Sequence, residues 1–329
     1  MLAFIIRRLF LSLLTVWAVT IISFGIIQLP PGDYVSSYVA RLMSQGEEIT
    51  QIEAENLRVQ YGLDKPFPVQ YYKWMSKAVT GNFGLSMEYQ RPVGEVIGDR
   101  LALTAALAFA SIVFTWVLSI PIGVYSAVKQ YSPGDYVFTF IGFLGLAVSN
   151  FLLALVLLYF GFVYFNSNIG GLFSPEMVDQ PYSFAKVWDL MTHLWLPSLI
   201  LAVAGTAQLI RVLRANMLDE LRKPYVVTAR AKGLRELRLI TKYPLRVAMN
   251  PLMSTVGYLL PLLVSGSIIV SIVMSLPTVG PMLLRALLAQ DMFLAGTIIM
   301  LIGIMTVIGT FISDLLLAWI DPRIRMEGT

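Results

Sequence analysis

Long apolar runs separated by shorter polar stretches dominate the pattern of the chain. A helix that crosses a bilayer needs about 20 mostly apolar residues, and six runs reach that length. The runs are 9–29, 101–127, 137–161, 194–213, 249–274 and 293–319. Glycine and proline inside several of them do not argue against spanning, because neighbouring helices can satisfy the backbone groups that they free. The pattern predicts an all-α membrane protein with six transmembrane helices.

The first apolar run resembles a signal peptide because Arg7 and Arg8 precede it. However, the stretch from Leu9 to Leu29 is too long for an ordinary signal-peptide core, and no A-x-A-like cleavage site follows it. We therefore interpret this run as an uncleaved first transmembrane helix.

Composition supports a membrane protein and narrows its partners. Among 329 residues, 57% are hydrophobic and 13% are charged, and the mean hydropathy is +0.73. Soluble chains carry about 25% charged residues. The net charge of +4 is not spread over a soluble face, so no nucleic-acid partner is expected. The absence of cysteine excludes disulfides and thiolate metal sites.

The distribution of Lys and Arg predicts the orientation. With the N-terminus in the cytoplasm, the cytoplasmic pieces hold 15 of the 24 basic residues, and the piece 211–248 alone holds ten. Both termini are therefore expected in the cytoplasm. The domain organisation follows from this orientation: 1–29 is the first helix with its leading segment, 30–100 is an external region, and 101–329 is a five-helix core.

The external region 30–100 is predicted to be more than a linker. Three apolar residues at helical spacing predict a short amphipathic helix, and three aromatic residues further on are typical of an interfacial belt. The apolar set is Ile49, Ile52 and Leu57, and the aromatic set is Tyr71, Tyr72 and Trp74. A surface cap and a ligand-binding role both stay open. The segment 162–193 is also predicted to be interfacial and partly helical.

The basic piece 211–248 has the pattern of two short helices joined by a fixed bend. Pro224 suits a first helical turn, and Gly233 accepts the left-handed conformation that ends a helix. The second helix is predicted to have an apolar and a basic side. The apolar residues are Leu234, Leu237, Leu239 and Ile240, and the basic ones are Arg235, Arg238 and Lys242. Anionic lipid would bind basic residues without a bend, so the pattern favours docking to a cytoplasmic partner.

Four segments in order resemble one family, the membrane permease subunits of dipeptide/oligopeptide-type ABC importers, which depend on a binding protein. The run from Thr228 to Gly233 (TARAKG) is similar to the family's coupling-loop signature, with Val227 where the broader class has Glu. The other three segments match the family's first external loop, the loop after its fifth span and its C-terminal signature. They are 61–75 together with 81–93 for the first external loop, 276–293 for the loop after the fifth span, and 314–325 for the C-terminal signature.

This resemblance implies a multi-pass subunit of a bacterial or archaeal inner membrane with the type I importer fold. It implies a second homologous permease, two ABC ATPases and an extracytoplasmic binding protein as partners, besides membrane lipid. ATP and Mg would be bound by the ATPases, and the chain has no phosphate-loop motif, so no catalytic residue, cofactor or metal is expected here. The residues implied in coupling are Thr228, Ala229, Arg230, Ala231, Lys232, Gly233 and Leu234.

Polar residues inside the predicted spans are candidates for the translocation pathway, because such residues are costly in lipid. The candidates are Asn150, Gln208, Ser265, Ser267 and Ser271. Serines also favour close helix packing, so a packing role stays open for them. Asp314 is expected to have a structural partner, and His193 is expected to be an interfacial residue without special chemistry.

The substrate stays open between two classes. Peptide permeases that this chain resembles usually carry an acidic residue at the position of Ser271, where it would suit a ligand with a free ammonium group. Its replacement by Ser makes oligosaccharides a competitor to peptides. An ion-coupled secondary transporter is the alternative from another class, but it would need intramembrane acids or internal repeats. The cores of the predicted spans hold almost no ionisable groups, and the sequence shows no internal repeat.

Overall fold

The computed structural model is almost entirely helical. It describes residues 2–29, 32–46, 50–165, 170–178 and 180–320. Its elements in chain order are α1 (Leu2–Ile27), α2 (Tyr34–Gln45), α3 (Gln51–Tyr61), α4 (Phe67–Ala78), β1 (Leu85–Ser86), β2 (Arg91–Pro92), α5 (Val93–Val128), α6 (Pro133–Ala147), α7 (Asn150–Phe165), α8 (Phe184–Leu221), α9 (Pro224–Ala231), α10 (Glu236–Lys242), α11 (Pro244–Ala248), α12 (Asn250–Val273), α13 (Val279–Leu288) and α14 (Met292–Ile320). The expectation of an all-α fold needs one correction, since β1 and β2 form a short antiparallel hairpin.

The described residues pack as two units. The first unit comprises 2–103 and 278–307, and the second comprises 104–277 and 308–320. Helices α5 and α14 contribute residues to both. The division predicted from the sequence (1–29, 30–100 and 101–329) is based on the expected membrane topology, whereas the two units are defined by packing. The first unit contains the predicted external region together with α1 and α13.

Four helices of the described chain are long and apolar enough to cross a membrane: α1, α5, α8 and α14. The number rises to five if α6 and α7 together form one span. Helix α12 covers the fifth predicted span, but the side chains of residues 254–265 lie outside the described part. The coarse prediction of a multi-helix membrane protein is therefore supported.

The prediction of one continuous helix over 137–161 was wrong. Helices α6 and α7 meet at an angle of 104°. Val148 has an extended backbone at the break, and the Oγ of Ser149 accepts a hydrogen bond from the backbone N–H of Leu152 at 3.3 Å. A serine in this position caps a new helix, so the apolar run bends although its hydropathy is uninterrupted.

The predicted short helix after residue 50 is confirmed as α3. The side chain of Thr50 accepts from the N–H of Glu53, whose carboxylate accepts from the N–H of Thr50, which forms a capping box. Its predicted apolar face is only partly buried, since Ile52 is 75% exposed and Leu57 is half-buried. Ile49 lies outside the described residues.

Trp74 of α4 forms part of a core and not of the predicted interfacial belt. The rings of Trp74 and Phe24 stack with centroids 5.5 Å apart, and both residues are buried. A Cβ on Gly296 would lie 3.7 Å from the Trp74 ring, so glycine lets α14 approach the cluster. Tyr71 hydrogen-bonds Thr20 of α1 at 2.8 Å, whereas Tyr72 is exposed. The belt interpretation was therefore wrong for Trp74.

Asp291 connects the hairpin to the start of α14 within the first unit. Its buried carboxylate accepts from the Ser86 hydroxyl at 2.6 Å and from the N–H groups of Glu88 and Leu294 at 3.0 and 3.1 Å. Burial raises the pKa of Asp291 despite these hydrogen bonds. The carboxylate thus caps α14 and fixes the turn between β1 and β2.

Helix α8 lies at the centre of the second unit. A Cβ on Gly123 would lie 3.0 Å from the Leu213 side chain, and one on Gly145 would lie 2.7 Å from the Val203 side chain. These glycines let α5 and α6 pack directly on α8. The close packing of α8 with its neighbours positions the segment that follows it.

Trp74→Ala should destabilise the protein, because it leaves a cavity in the aromatic cluster. We expect a loss of about 3–5 kcal/mol, seen as a lower apparent Tm in detergent. Tyr72→Ala is the matched control, since Tyr72 lies on the same helix and is exposed. Equal Tm values for the two variants would contradict the assignment of Trp74 to the core.

Candidate functional site

Helix α9 begins and ends as its sequence predicts. Pro224 occupies the first turn, and the hydroxyl of Thr228 donates to the Pro224 carbonyl. At the other end Gly233 has φ +77°. The N–H of Leu234 donates to the carbonyl of Ala229 at 3.4 Å, and the N–H of Gly233 donates to that of Arg230 at 3.0 Å. This pair of bonds is a Schellman motif, which fixes the direction in which the chain leaves α9.

An ion pair crosses the bend between α9 and α10. Arg230 donates from Nη2 and Nε to the two carboxylate oxygens of Glu236 at 2.6 and 3.2 Å. The hydrogen bond to Arg230 lowers the pKa of Glu236, and the same bond raises the pKa of Arg230. Both side chains are about half exposed (51% and 50%), so the pair adds little stability. Its two-point geometry restrains the angle of the bend.

The inner faces of the two helices are buried within the second unit. We call residues 224–242 the two-helix unit. Its buried residues belong to one hydrophobic core with residues of α8 and the start of α12. The members from these four helices are Val226, Ala229, Leu239, Ile240, Leu209, Leu213, Met217 and Leu252, and the core also includes Ala127 of α5 and Ala248 of α11. Since Val226 and Leu239 are fully buried, the two-helix unit is held to this shared core by side-chain packing, and α11 contacts both α10 and α8.

The outer face of the two-helix unit combines exposed apolar and basic side chains. Val227 is 55% exposed and Leu237 is 76% exposed, and Arg235 and Arg238, which flank Leu237 in the sequence, are also exposed. The hydroxyl of Tyr225 hydrogen-bonds the Glu220 carboxylate. Burial and that bond raise the pKa of Tyr225 to about 12. An apolar patch with a basic rim is suited to a protein surface with an apolar cleft and acidic edges.

The seven residues predicted for coupling fall on both faces. Ala229 is buried and Leu234 is partly buried, so these two attach the unit to the core. The exposed members are Thr228, Arg230, Ala231, Lys232 and Gly233. Their role in coupling stays a prediction.

The outer face contains residues that the sequence analysis missed. Leu237 was assigned to the apolar side of α10, and this was wrong. Because Leu239 and Ile240 define the buried direction of a seven-residue helix, Leu237 lies about 110° away from it. A helical wheel centred on the adjacent pair Leu239-Ile240 would have predicted that Leu237 is exposed. The sequence analysis noted Val227 only because it replaces the Glu of the coupling-loop signature, and it did not predict that Val227 is exposed.

The pathway candidates are scattered through the second unit. Ser267 is 5% exposed and Ser271 is fully buried, and within the described chain the Ser271 hydroxyl has no hydrogen-bond partner. Asn150 at the start of α7 and Gln208 in α8 are partly exposed. The side chains of Ser265 and Asp314 lie outside the described part. Lining of a pathway by any of these residues stays a prediction.

His193 lies beside Asp189 one helical turn earlier. Its Nδ1 is 2.8 Å from the Asp189 carbonyl oxygen and 3.4 Å from a carboxylate oxygen. Asp189 also accepts from the N–H and the hydroxyl of Ser174, so it orders the segment before α8. In the part of the chain that the structure describes, no three metal-binding side chains cluster.

Comparison with known proteins identifies the class of this chain. Residues 119–326 match the family "Binding-protein-dependent transport system inner membrane component", and residues 1–108 match "Binding-prot-dependent transport system membrane comp, N-term". The chain belongs to this family of multi-pass inner-membrane permease subunits, which are non-catalytic. Membership implies ATPase and substrate-binding partners, and it does not support an ion-coupled secondary transporter.

Individual relatives extend the match over nearly the whole chain. The chain is 35% identical to the oligopeptide transport system permease protein AppB of Bacillus subtilis (strain 168), covering 99% of this chain and 100% of AppB. It is 30% identical to the dipeptide transport system permease proteins DppB of Lactococcus lactis subsp. cremoris (strain MG1363) and Escherichia coli (strain K12). Those alignments cover 99% of this chain and 100% and 99% of the relatives.

Gly233→Pro should abolish ATPase activity stimulated by substrate delivery in the assembled transporter. Proline requires φ near −65° where Gly233 has φ +77°, and it removes the N–H that donates to Arg230. We expect stimulation to fall more than tenfold while the helices stay inserted. Gly233→Ala keeps the N–H, so its stimulated ATPase activity should fall less than that of the proline variant. Unchanged stimulation in the proline variant would remove the coupling assignment.

Proposed function

We propose that this chain is one of two homologous permease subunits of an ABC importer for peptides. The observation that carries the proposal is the bent two-helix unit, which shares a hydrophobic core with α8 and presents an exposed face. Family membership supports it, and so do the names of relatives that match over their full length.

In this proposal the chain has six spans and both termini in the cytoplasm. The spans are α1, α5, the bent pair α6–α7, α8, α12 and α14. The concentration of basic residues in 211–248 supports this orientation. It places the two-helix unit in the cytoplasm and α2, α3 and α4 outside, where a binding protein would deliver substrate.

Coupling follows from how the two-helix unit is attached. Two partner ATPases bind ATP and Mg, and their closure on ATP is a rigid-body motion. An ATPase that binds the exposed face around Leu237 pushes on the unit, and the buried contacts of Val226 and Leu239 transmit the push to α8. The spans then alternate between inward-open and outward-open states.

Peptides are the proposed substrate class. The relatives described above are named for oligopeptide or dipeptide transport, and these names favour peptides over oligosaccharides. The buried hydroxyl of Ser271 leaves the chain without an acidic group at that position, so recognition of a peptide's ammonium group is assigned to the binding protein.

Purification of the full chain from its native membrane in mild detergent tests the assembly. Mass spectrometry should find a second permease and ABC ATPases with it. A co-purifying binding protein can then be assayed with peptides and with oligosaccharides. Recovery of the chain alone, even after crosslinking, would contradict the proposal.

Leu237→Asp should weaken binding of the ATPases, because it places a charge in an apolar contact. Burial of a leucine contributes about 1.5–3 kcal/mol, so we expect at least tenfold weaker association. The measurement is the amount of ATPase that co-purifies with the tagged chain. Ile52→Asp is the matched control, since Ile52 is equally exposed at 75% and lies on α3. Equal retention in both variants would exclude Leu237 from the contact.

Ser271→Glu should change transport without changing basal ATPase activity, provided that Ser271 faces the pathway. The new carboxylate would favour substrates with a free ammonium group. Transport of peptides with free and acetylated N-termini in proteoliposomes measures this selectivity. If transport is the same as in the unaltered protein, Ser271 has only a packing role.

A further inference from the structure

A groove of about 270 Å³ lies between α6 and α8 in the second unit. Most of its lining is apolar, with Phe143 and Leu146 from α6 and Ala207 and Ile210 from α8. Arg211 also lines it. Phe143 and Leu146 are 58% and 41% exposed, so this apolar surface is accessible from outside the unit.

The groove exists because the helices are closest where α6 has glycine. Gly145 packs against Val203, and a Cβ on Gly142 would lie 3.9 Å from the Cβ of Ala207. The absence of a side chain at Gly142 leaves space between the larger side chains on either side.

The charges at the end of the groove differ in their pairing. Arg214 donates to both carboxylate oxygens of Asp135 at 2.8 and 3.1 Å, so this pair is internally neutral. Arg211 is exposed, and among the described residues no carboxylate forms an ion pair with it. Within the described chain, the positive charge of Arg211 therefore has no carboxylate partner beside this apolar surface.

The spacing of these groups suits a lipid. Arg211 lies near the C-terminal end of the apolar part of α8, where a bilayer headgroup would lie. Ala207 is one turn further into the apolar part, about 6 Å along the axis. An arginine near the end of a span can extend to the headgroup level while its stem stays in apolar surroundings.

We propose that the groove binds an anionic phospholipid. The phosphate pairs with Arg211, and an acyl chain lies across Gly142 against Phe143 and Leu146. Charge complementarity selects an anionic headgroup, and the apolar lining requires a chain that a free phosphate lacks. The site is separate from the two-helix unit, and it holds for either orientation of the chain in the membrane.

Native mass spectrometry of the full chain, released from detergent, tests the proposal. The probes are phosphatidylglycerol, phosphatidylcholine and inorganic phosphate. Arg211→Gln should reduce binding of phosphatidylglycerol about fivefold, the factor expected for one juxtamembrane arginine. Arg211→Lys should retain most of it. Arg222→Gln is the matched control, because Arg222 is an exposed arginine at the end of the same helix.

A second variant tests the apolar part of the site. Gly142→Leu fills the groove and should reduce retention of phosphatidylglycerol even though Arg211 is present. The apparent Tm of the variant shows whether the fold is intact. If the fold of Gly142→Leu is not intact, the comparison of Arg211→Gln with Arg222→Gln still tests the proposed site.

Four results would overturn the proposal. The first is equal binding of phosphatidylglycerol and phosphatidylcholine, and the second is an equal loss of phosphatidylglycerol binding in Arg211→Gln and Arg222→Gln. The third is displacement of the lipid by millimolar inorganic phosphate. The fourth is a crosslink from Leu146 to a second permease in an assembled complex that retains no lipid. Selective binding of phosphatidylglycerol that depends on Arg211 and on the open groove would support it.

Discussion

The packing of α8 against its neighbours is the interaction on which the second unit depends. Leu209, Leu213 and Met217 are buried on one stretch of this helix, and they share a core with α9, α10 and the start of α12. Helix α11 contacts both α10 and α8, so the two-helix unit is joined to α8 through this shared core. In the proposed function, the contacts that stabilise the fold are also the path along which a partner's motion reaches the spans.

Packing in a membrane has to rely on close contact, because lipid tails are as apolar as leucine and supply no hydrophobic drive between helices. Gly123 and Gly145 meet this constraint by letting α5 and α6 lie directly on α8. The ion pair between the buried Asp135 and the partly exposed Arg214 adds a polar contact at the end of the α6–α8 interface. Close packing at glycine also opens the groove near Gly142, so one cause produces both the helix contact and the proposed lipid site.

Three particular errors show where reading the sequence falls short. Hydropathy could not detect the bend at Ser149, because a single capping serine changes the backbone and hardly alters the average of an apolar run. Tryptophan is a residue type that is common at membrane interfaces, and only the tertiary structure shows that Trp74 is buried and stacked on Phe24. Leu237 was assigned to the wrong side because the buried direction of a seven-residue helix depends on two neighbouring side chains, Leu239 and Ile240.

The sequence by itself determined the membrane class, the existence of most helices and the bend at Gly233. These features depend on local properties: the length of an apolar run, a capping residue or a glycine that accepts positive φ. Tertiary structure alone decided which face of each element is buried, how Arg230 and Glu236 pair across the bend, and that Arg214 has a carboxylate partner while Arg211 has none in the described chain. Such features depend on residues far apart in sequence, and local patterns do not encode their distances.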